Sequence, residues 1–130
     1  MSQIAGTGID VIEVDRIERA LTRPATGERF RARVFTSGEV KYCESRGRPR
    51  YQSYAARFAA KEATMKALGT GWNRNVGWQD IEVVRPRGSR PTIKLWGKAA
   101  EFAGRRQISG FQLSISHSAV HAIAHVIAET

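Results

Sequence analysis

The sequence predicts an α+β fold, a compact domain in which a mainly antiparallel sheet packs against one long helix. Three observations carry this expectation. The chain has 130 residues, the length of one domain spanning 1–130, and at that size folding buries roughly two-thirds of the surface the unfolded chain exposes. Residues Gln52 to Leu68 form an alanine-rich run closed by Gly69, the composition and stop signal of a helix. The segment from Phe111 to Ala128 alternates with period two, the signature of strands. With the elements between them, the order reads β-α-α-β-β-α-β-β, which indicates an antiparallel α+β arrangement.

Ile4 to Val11 alternates, with Ala5, Thr7, Ile9 and Val11 on one face and Ile4, Gly6, Gly8 and Asp10 on the other. This predicts a strand whose glycines admit a close backbone or ligand, with Asp10 near its C-terminal end on the glycine side. Val14, Ile17 and Leu21 then recur at helical spacing until Pro24 and Gly27. Phe30 to Glu44 reads as a weaker helical or loop region, and Gly47-Arg48-Pro49-Arg50 as a break. In the long helix Tyr54, Phe58, Met65 and Leu68 mark the apolar side. Glu62 lies one turn beyond Phe58 and one turn before Lys66, so the three share a face. A carboxylate continuing an apolar stripe demands a partner, because an unpaired buried charge costs several kcal/mol.

Gly71 to Gly77 reads as a loop. Asp80 to Arg85 and Pro91 to Trp96 are short strands across Pro86-Arg87-Gly88-Ser89, and Lys98 to Ala103 is a short helix ending at Gly104. Phe111 to Ser116 and Val120 to Ala128 form a hairpin around Ser118-Ala119. Residues Gln107 to Ala128 carry no Asp, Glu, Lys or Arg, but Gln112, Ser114, Ser116, His117, Ser118, His121 and His125 interrupt them, so the run is sheet and not a membrane span.

Composition narrows the class. Hydrophobic residues are 42% and charged residues 25%, an ordinary globular balance. The single cysteine, Cys43, excludes an intramolecular disulfide framework and a cysteine-rich zinc pattern, and fits a reducing cytosol. Met1 to Gly6 carries no basic leader followed by a long apolar region, so the expectation is a cytoplasmic protein with no membrane association. The net charge of +9 attracts polyanions: nucleic acid, phosphorylated metabolites, anionic membrane or an acidic protein. Arg23 to Arg50 alone carries eight positive residues against Glu28, Glu39 and Glu44, usually the mark of a solvated surface.

Asp10 and Glu62 are the first candidates for chemistry. Magnesium prefers oxygen ligands, commonly one or two carboxylates with water and substrate phosphates. On pattern alone a structural outcome is the commoner one, with Asp10 capping the next helix and Glu62 paired to an arginine. Lys66 shares the face of Glu62 and suits a phosphate, whereas Lys61 reads as a surface lysine snorkelling from the helix. Arg57 lies five residues before Glu62, about 140° around the helix, and would reach a different part of an extended ligand. Ser116-His117-Ser118 offers donors suited to a phosphate, and no Gly-x-Ser-x-Gly elbow supports a serine nucleophile. His121 and His125 share a strand face with Ile123 and Ile127 and read as packing residues, not metal ligands. The competing class is a basic nucleic-acid-binding module using Trp72, Trp78 and Trp96 for stacking, although no recognition-module signature accompanies them.

Taken together, the segments resemble the holo-[acyl-carrier-protein] synthase family, the small phosphopantetheinyl transferases. The matching pieces are Gly8-Ile9-Asp10-Val11, Arg16-Ile17, Phe35-Thr36-x-x-Glu39, Arg57-Phe58-Ala59-Ala60-Lys61-Glu62-Ala63, Lys66-Ala67-Leu68-Gly69-Thr70-Gly71, Asp80-Ile81-Glu82-Val83, Pro91, and Leu113-Ser114-Ile115-Ser116-His117-Ser118. They run in the expected order over nearly the whole chain, and the resemblance reverses the preference for structural roles at Asp10 and Glu62.

The resemblance implies the 4′-phosphopantetheinyl transferase fold and transfer of the 4′-phosphopantetheine arm of coenzyme A to a serine of acyl carrier protein, releasing adenosine 3′,5′-bisphosphate. It implies that Asp10 and Glu62 bind Mg²⁺, that Lys66 neutralises the phosphates, that Arg57 and His117 contact the adenosine 3′-phosphate, and that Gly69 and Ser116 line that site. The base is Glu62 itself or a metal-held water near Glu39. Acyl carrier proteins are strongly acidic, which accounts for the positive charge: Arg16 matches the family's docking arginine, and helical geometry adds Arg19 and Arg23. Family members form homotrimers with active sites between protomers, one supplying Asp10 and Glu62 and its neighbour helping to hold the nucleotide. Whether the carrier serves fatty-acid or polyketide synthesis stays open.

Overall fold

The computed structural model describes residues 3–70 and 76–130. The greater part of the expected loop at 71–77, and with it Trp72, lies outside the described residues.

Glycine decides how the first strand meets the long helix. The strand β1 (Ile4–Glu13) turns Gly6 and Gly8 inward, against the helix that runs from Arg50 to Leu68. A Cβ at Gly6 would lie 2.1 Å from the carbonyl oxygen of Ala67, and one at Gly8 would lie 2.0 Å from that of Ala63. The glycines therefore serve a close backbone approach, one of the two uses the sequence allowed. On the other side of the strand Ile9 and Val11 stay exposed.

Val14 to Thr22 form α1, which buries Val14, Ile17 and Leu21 as the spacing predicts. Glu13, not Asp10, occupies its N-cap position. The weak region that follows resolves into two helices, α2 (Gly27–Val34) and α3 (Ser37–Glu44). Gly27 thus opens a helix rather than only closing one. The start of α3 is set by a capping box: the Thr36 hydroxyl accepts from the Glu39 backbone N–H, and the Glu39 carboxylate accepts from the Thr36 N–H. The long helix, α4 (Arg50–Leu68), begins two residues earlier than expected and ends at Gly69 in the left-handed conformation, φ 78°. Arg106 donates a 3.0 Å hydrogen bond to the carbonyl of Leu68 at that end.

After a short 3₁₀ turn at Trp78–Asp80 come β2 (Ile81–Val84), β3 (Thr92–Leu95), α5 (Gly97–Arg105), β4 (Gly110–His117) and β5 (His121–Glu129). The strands make two antiparallel sheets, β1-β5-β4 and β2-β3. The β4–β5 hairpin forms where the alternation placed it, pairing Leu113 with Val126 and His117 with Ala122.

Fourteen of the nineteen residues of α4 are buried, so the helix is enclosed on nearly every side. Ala122, Ala124, Val126 and Ala128 of β5 join it in the main core. Small side chains on helix and strand let the two approach closely, and Tyr54, Phe58, Phe30 and Phe35 fill the wider gap beneath α2 and α3. This inverts one expectation. His121, Ile123 and His125 occupy the exposed face of β5, not a packed one, because the alanines take the helix side. Among the described residues no helix is long and apolar enough to cross a membrane.

Candidate active site

Two separate clusters of polar side chains hang from α4. The first lies where the helix crosses β1. Lys66 Nζ is 2.8 Å from the carbonyl oxygen of Ile9 and 3.2 Å from Asp10 Oδ1, tying the lysine to the strand. The Asp10 side chain is 17% exposed and the Lys66 side chain 52%. Glu62, half-buried one turn before Lys66, makes no salt bridge to any described residue. Its carboxyl is held above the ordinary glutamate range, first by burial and then by the negative charge of Asp10, against the weaker opposite pull of Lys66 and Arg16. Two residues 52 positions apart along the chain are thus near enough for the charge of one carboxylate to act on the other, beside a lysine.

That donor set fits magnesium. Two hard oxygen ligands that repel one another leave the remaining positions of an octahedral ion for water and phosphate oxygens, and Lys66 supplies a second positive charge at the same place. Among the described residues no group of three or more His, Cys, Asp or Glu competes as an alternative metal cluster.

The second cluster lies half a turn around α4 from Lys66, since nine residues at 100° each place Arg57 on the opposite side. The Arg57 guanidinium lies 3.9 Å from the centre of the Tyr42 ring and is 5% exposed. Its Nε is buried and has no hydrogen-bond partner among the described residues. His117, at the end of β4, has Nδ1 3.1 Å from Gln52 Oε1 on the first turns of α4. Tyr42, Arg57 and His117 border a recess of about 260 Å³ that Arg85 and Pro91 also line.

Not every expected residue joins a cluster. Ser116 sits on the opposite face of β4 from His117, where the register pairs it with Ile123 on the open side of the sheet. Gly69 is accounted for as the helix C-cap and lies twelve residues, about 18 Å of helix, beyond Arg57. Within one chain neither reaches the Arg57–His117 recess. Lys61 is corrected outright: it is 0% exposed and bonds Glu39, Trp78 O and Ile81 O. Glu39 is equally committed, to Lys61 and to the Thr36 and Val83 N–H groups, which removes it from consideration as an orienter of a water base. Conversely, Tyr42, Gln52 and Arg85 carried no signal in the sequence, because α3 and the β2–β3 hairpin reach them only through the tertiary fold.

Arg16, Arg19 and Arg23 all lie exposed along one rim of α1, above a recess floored by Ile17, Ala20, Phe30 and Phe58. Arg19 also pairs with Asp15 at 3.1 Å, a helical ion pair one turn apart. The two described tryptophans, Trp78 and Trp96, are otherwise engaged. Trp78 stacks on Phe58 with 5.1 Å between ring centres, and Trp96 donates to Glu82 Oε1 at 3.0 Å beneath Lys94.

A family model described as the 4′-phosphopantetheinyl transferase superfamily matches residues 6–124. A holo-[acyl-carrier-protein] synthase from Solibacter usitatus is 48% identical over 97% of this chain and 98% of its own. Among solved structures, the holo-[acyl-carrier-protein] synthase of Neisseria meningitidis superposes with a TM-score of 0.87 at 30% identity, covering 98% of this chain and all of the other. That of Bacillus anthracis, in complex with coenzyme A (3′,5′-ADP), gives 0.78 at 35% identity over 98% and 97%. The fold and these relatives therefore define a transferase, and the chain belongs to the 4′-phosphopantetheinyl transferase superfamily, in its holo-[acyl-carrier-protein] synthase branch. This assignment displaces the nucleic-acid-binding alternative.

Proposed function

We propose that the chain transfers the 4′-phosphopantetheine group of coenzyme A to a serine hydroxyl of an acyl carrier protein and releases adenosine 3′,5′-bisphosphate. The observation that carries this reading is the convergence of Asp10, Glu62 and Lys66, joined to the family membership. The serine oxygen bonds to the phosphorus that bears pantetheine, the pyrophosphate linkage breaks, and the bisphosphate leaves with the electron pair. Magnesium, held between Asp10 and Glu62, would supply charge neutralisation for the pyrophosphate and its leaving oxygen. Lys66 contributes a fixed positive charge to the same oxygens, and its tie to Ile9 O and Asp10 keeps the ammonium in place before substrate arrives. With Glu39 fully committed elsewhere, Glu62 is left to receive the serine proton on a carboxylate oxygen, and its raised proton affinity suits that task.

Arg57 and His117 take the adenosine 3′-phosphate. His117 Nδ1 pairs with Gln52 Oε1, which fixes the imidazole at the edge of the recess. Since the metal cluster and this recess lie on opposite sides of α4, one coenzyme A spans clusters contributed by neighbouring copies. The trimeric assembly of the family accommodates this, and the open sheet face, where Ile9, Val11 and Ile123 are 55%, 57% and 38% exposed, provides an apolar surface for it. Ser116, on that face, and Gly69, at the exposed C-cap of α4, become available to a neighbour's nucleotide. Arg16, Arg19 and Arg23 dock the acidic carrier.

The test is incubation with coenzyme A, magnesium and an apo carrier protein, followed by intact mass. The carrier is expected to gain one phosphopantetheine group. A carrier left unmodified, whichever acyl carrier protein is offered, overturns the reading.

A further inference from the structure

The Arg57 recess holds more positive charge than its two expected residues supply. Arg85, exposed at the end of β2, points its Nη1 to the Tyr42 hydroxyl at 3.2 Å. The same tyrosine carries the Arg57 guanidinium on its ring. One side chain from α3 therefore holds two arginines, one by its face and one by its oxygen, at the recess that His117 also lines. None of the residues lining the recess is acidic. Two guanidinium groups gathered without a carboxylate repel one another, and the buried Arg57 Nε–H has no acceptor among the described residues. An anion of two charges resolves both problems, and arginine's planar fork is the group that matches phosphate oxygens.

We propose that Arg85 is a further binding residue for the 3′-phosphate of coenzyme A, and that Tyr42 is the positioning residue that holds Arg57 and Arg85 to it. The proposal rests on the assignment of the Arg57–His117 recess to that phosphate. It adds a selectivity device from the β2–β3 hairpin: coenzyme A is distinguished from dephospho-coenzyme A, which lacks only the 3′-phosphate, by Arg85 as well as by Arg57 and His117.

The experiment compares kcat/KM for coenzyme A with kcat/KM for dephospho-coenzyme A, using the same apo carrier and magnesium. Arg85→Ala is expected to lower this ratio about tenfold, the equivalent of one charge-assisted hydrogen bond. Tyr42→Phe, which removes only the hydroxyl, is expected to lower it to a similar or smaller extent. Tyr42→Leu, which also removes the ring under Arg57, lowers it further, and Arg85→Lys restores part of it. A purely structural role would depress both substrates alike and leave the ratio unmoved, which would overturn the proposal. If the wild-type protein discriminates and Arg57→Ala abolishes the discrimination while Arg85→Ala keeps it, the recess is the phosphate site and only the role of Arg85 falls. A wild-type protein that does not discriminate overturns both.

Discussion

Lys61 Nζ lies 2.8 Å from Glu39 Oε1, and both side chains are completely buried. Burial pulls the lysine below its ordinary range, against the opposing pull of Glu39. The remaining capacity of the pair goes to Trp78 O, Ile81 O and the Thr36 and Val83 N–H groups, so the pair joins α3 and α4 to β2. Its two members are satisfied only together.

Lys61→Ala should therefore cost about 3–5 kcal/mol in stability, because it strands a buried carboxylate. Lys66→Ala, at a half-exposed pair, should cost no more than about 1 kcal/mol yet lose most of the transfer activity. Denaturant midpoints set beside the carrier mass assay separate the two lysines. Equal losses of stability would contradict the division of labour between them.

Glu62 works in the opposite sense. Its ionised form is disfavoured by burial and by Asp10, so above the ordinary glutamate pKa the native carboxylate lowers stability. Glu62→Gln should leave the unfolding midpoint at pH 7 unchanged or raise it, and reduce transfer by more than about 100-fold, beyond what loss of an outer-shell partner costs. Magnesium should raise the midpoint of the wild-type protein and not that of the variant. A variant that keeps near-normal turnover or the magnesium response removes Glu62 from the metal site.

Reversing the charge of Arg16, Arg19 or Arg23 to Glu should raise KM for the carrier while kcat stays within about twofold, since rim charges act on encounter. The wild-type protein should lose carrier affinity as salt rises, and the variants less steeply. Steady-state kinetics at two ionic strengths decide this. A fall in kcat with KM intact would place these arginines elsewhere in the reaction.

Cys43 is wholly buried, and burial pushes its thiol up to about 12. It should resist aromatic disulfide reagents in the native state and react once denaturant is added. Between the ordinary thiol value of about 9 and about 12 the unfolded chain loses this proton and the folded one keeps it. Stability should then fall by about 1.4 kcal/mol per pH unit relative to a Cys43→Ala variant. A stability difference between the two proteins that stays constant over that range refutes the shift.

Much of the fold was legible because its signals were local. Period two revealed β4 and β5, and the alanine run revealed α4 to within two residues. The two faces of a strand, however, look alike to a periodicity argument. Period two alone makes His121 and His125 packing residues, whereas Ala122, Ala124 and Ala128, which match the small residues of α4, decide the face. A single apolar stripe puts Lys61 at the surface, but the helix is enclosed on nearly every side. The flanking Ala59, Ala60, Ala63 and Thr64, together with the Thr36–Glu39 capping signature, contained the clue. Asp10 and Glu62 stand 52 residues apart, and no spacing rule joins them; only the family resemblance did. Tyr42 and Arg85 lie beyond even that, since neither falls within a matched motif.

The enclosure of α4 constrains how such a chain can change over time. Adding or deleting one residue between Arg57 and Glu62 would turn everything downstream by about 100°. That single slip would carry Lys61 out of its niche and swing Glu62 off Asp10, scrambling scaffold and chemistry in one stroke. Insertions and deletions should accumulate in the turns, while this rod keeps its count.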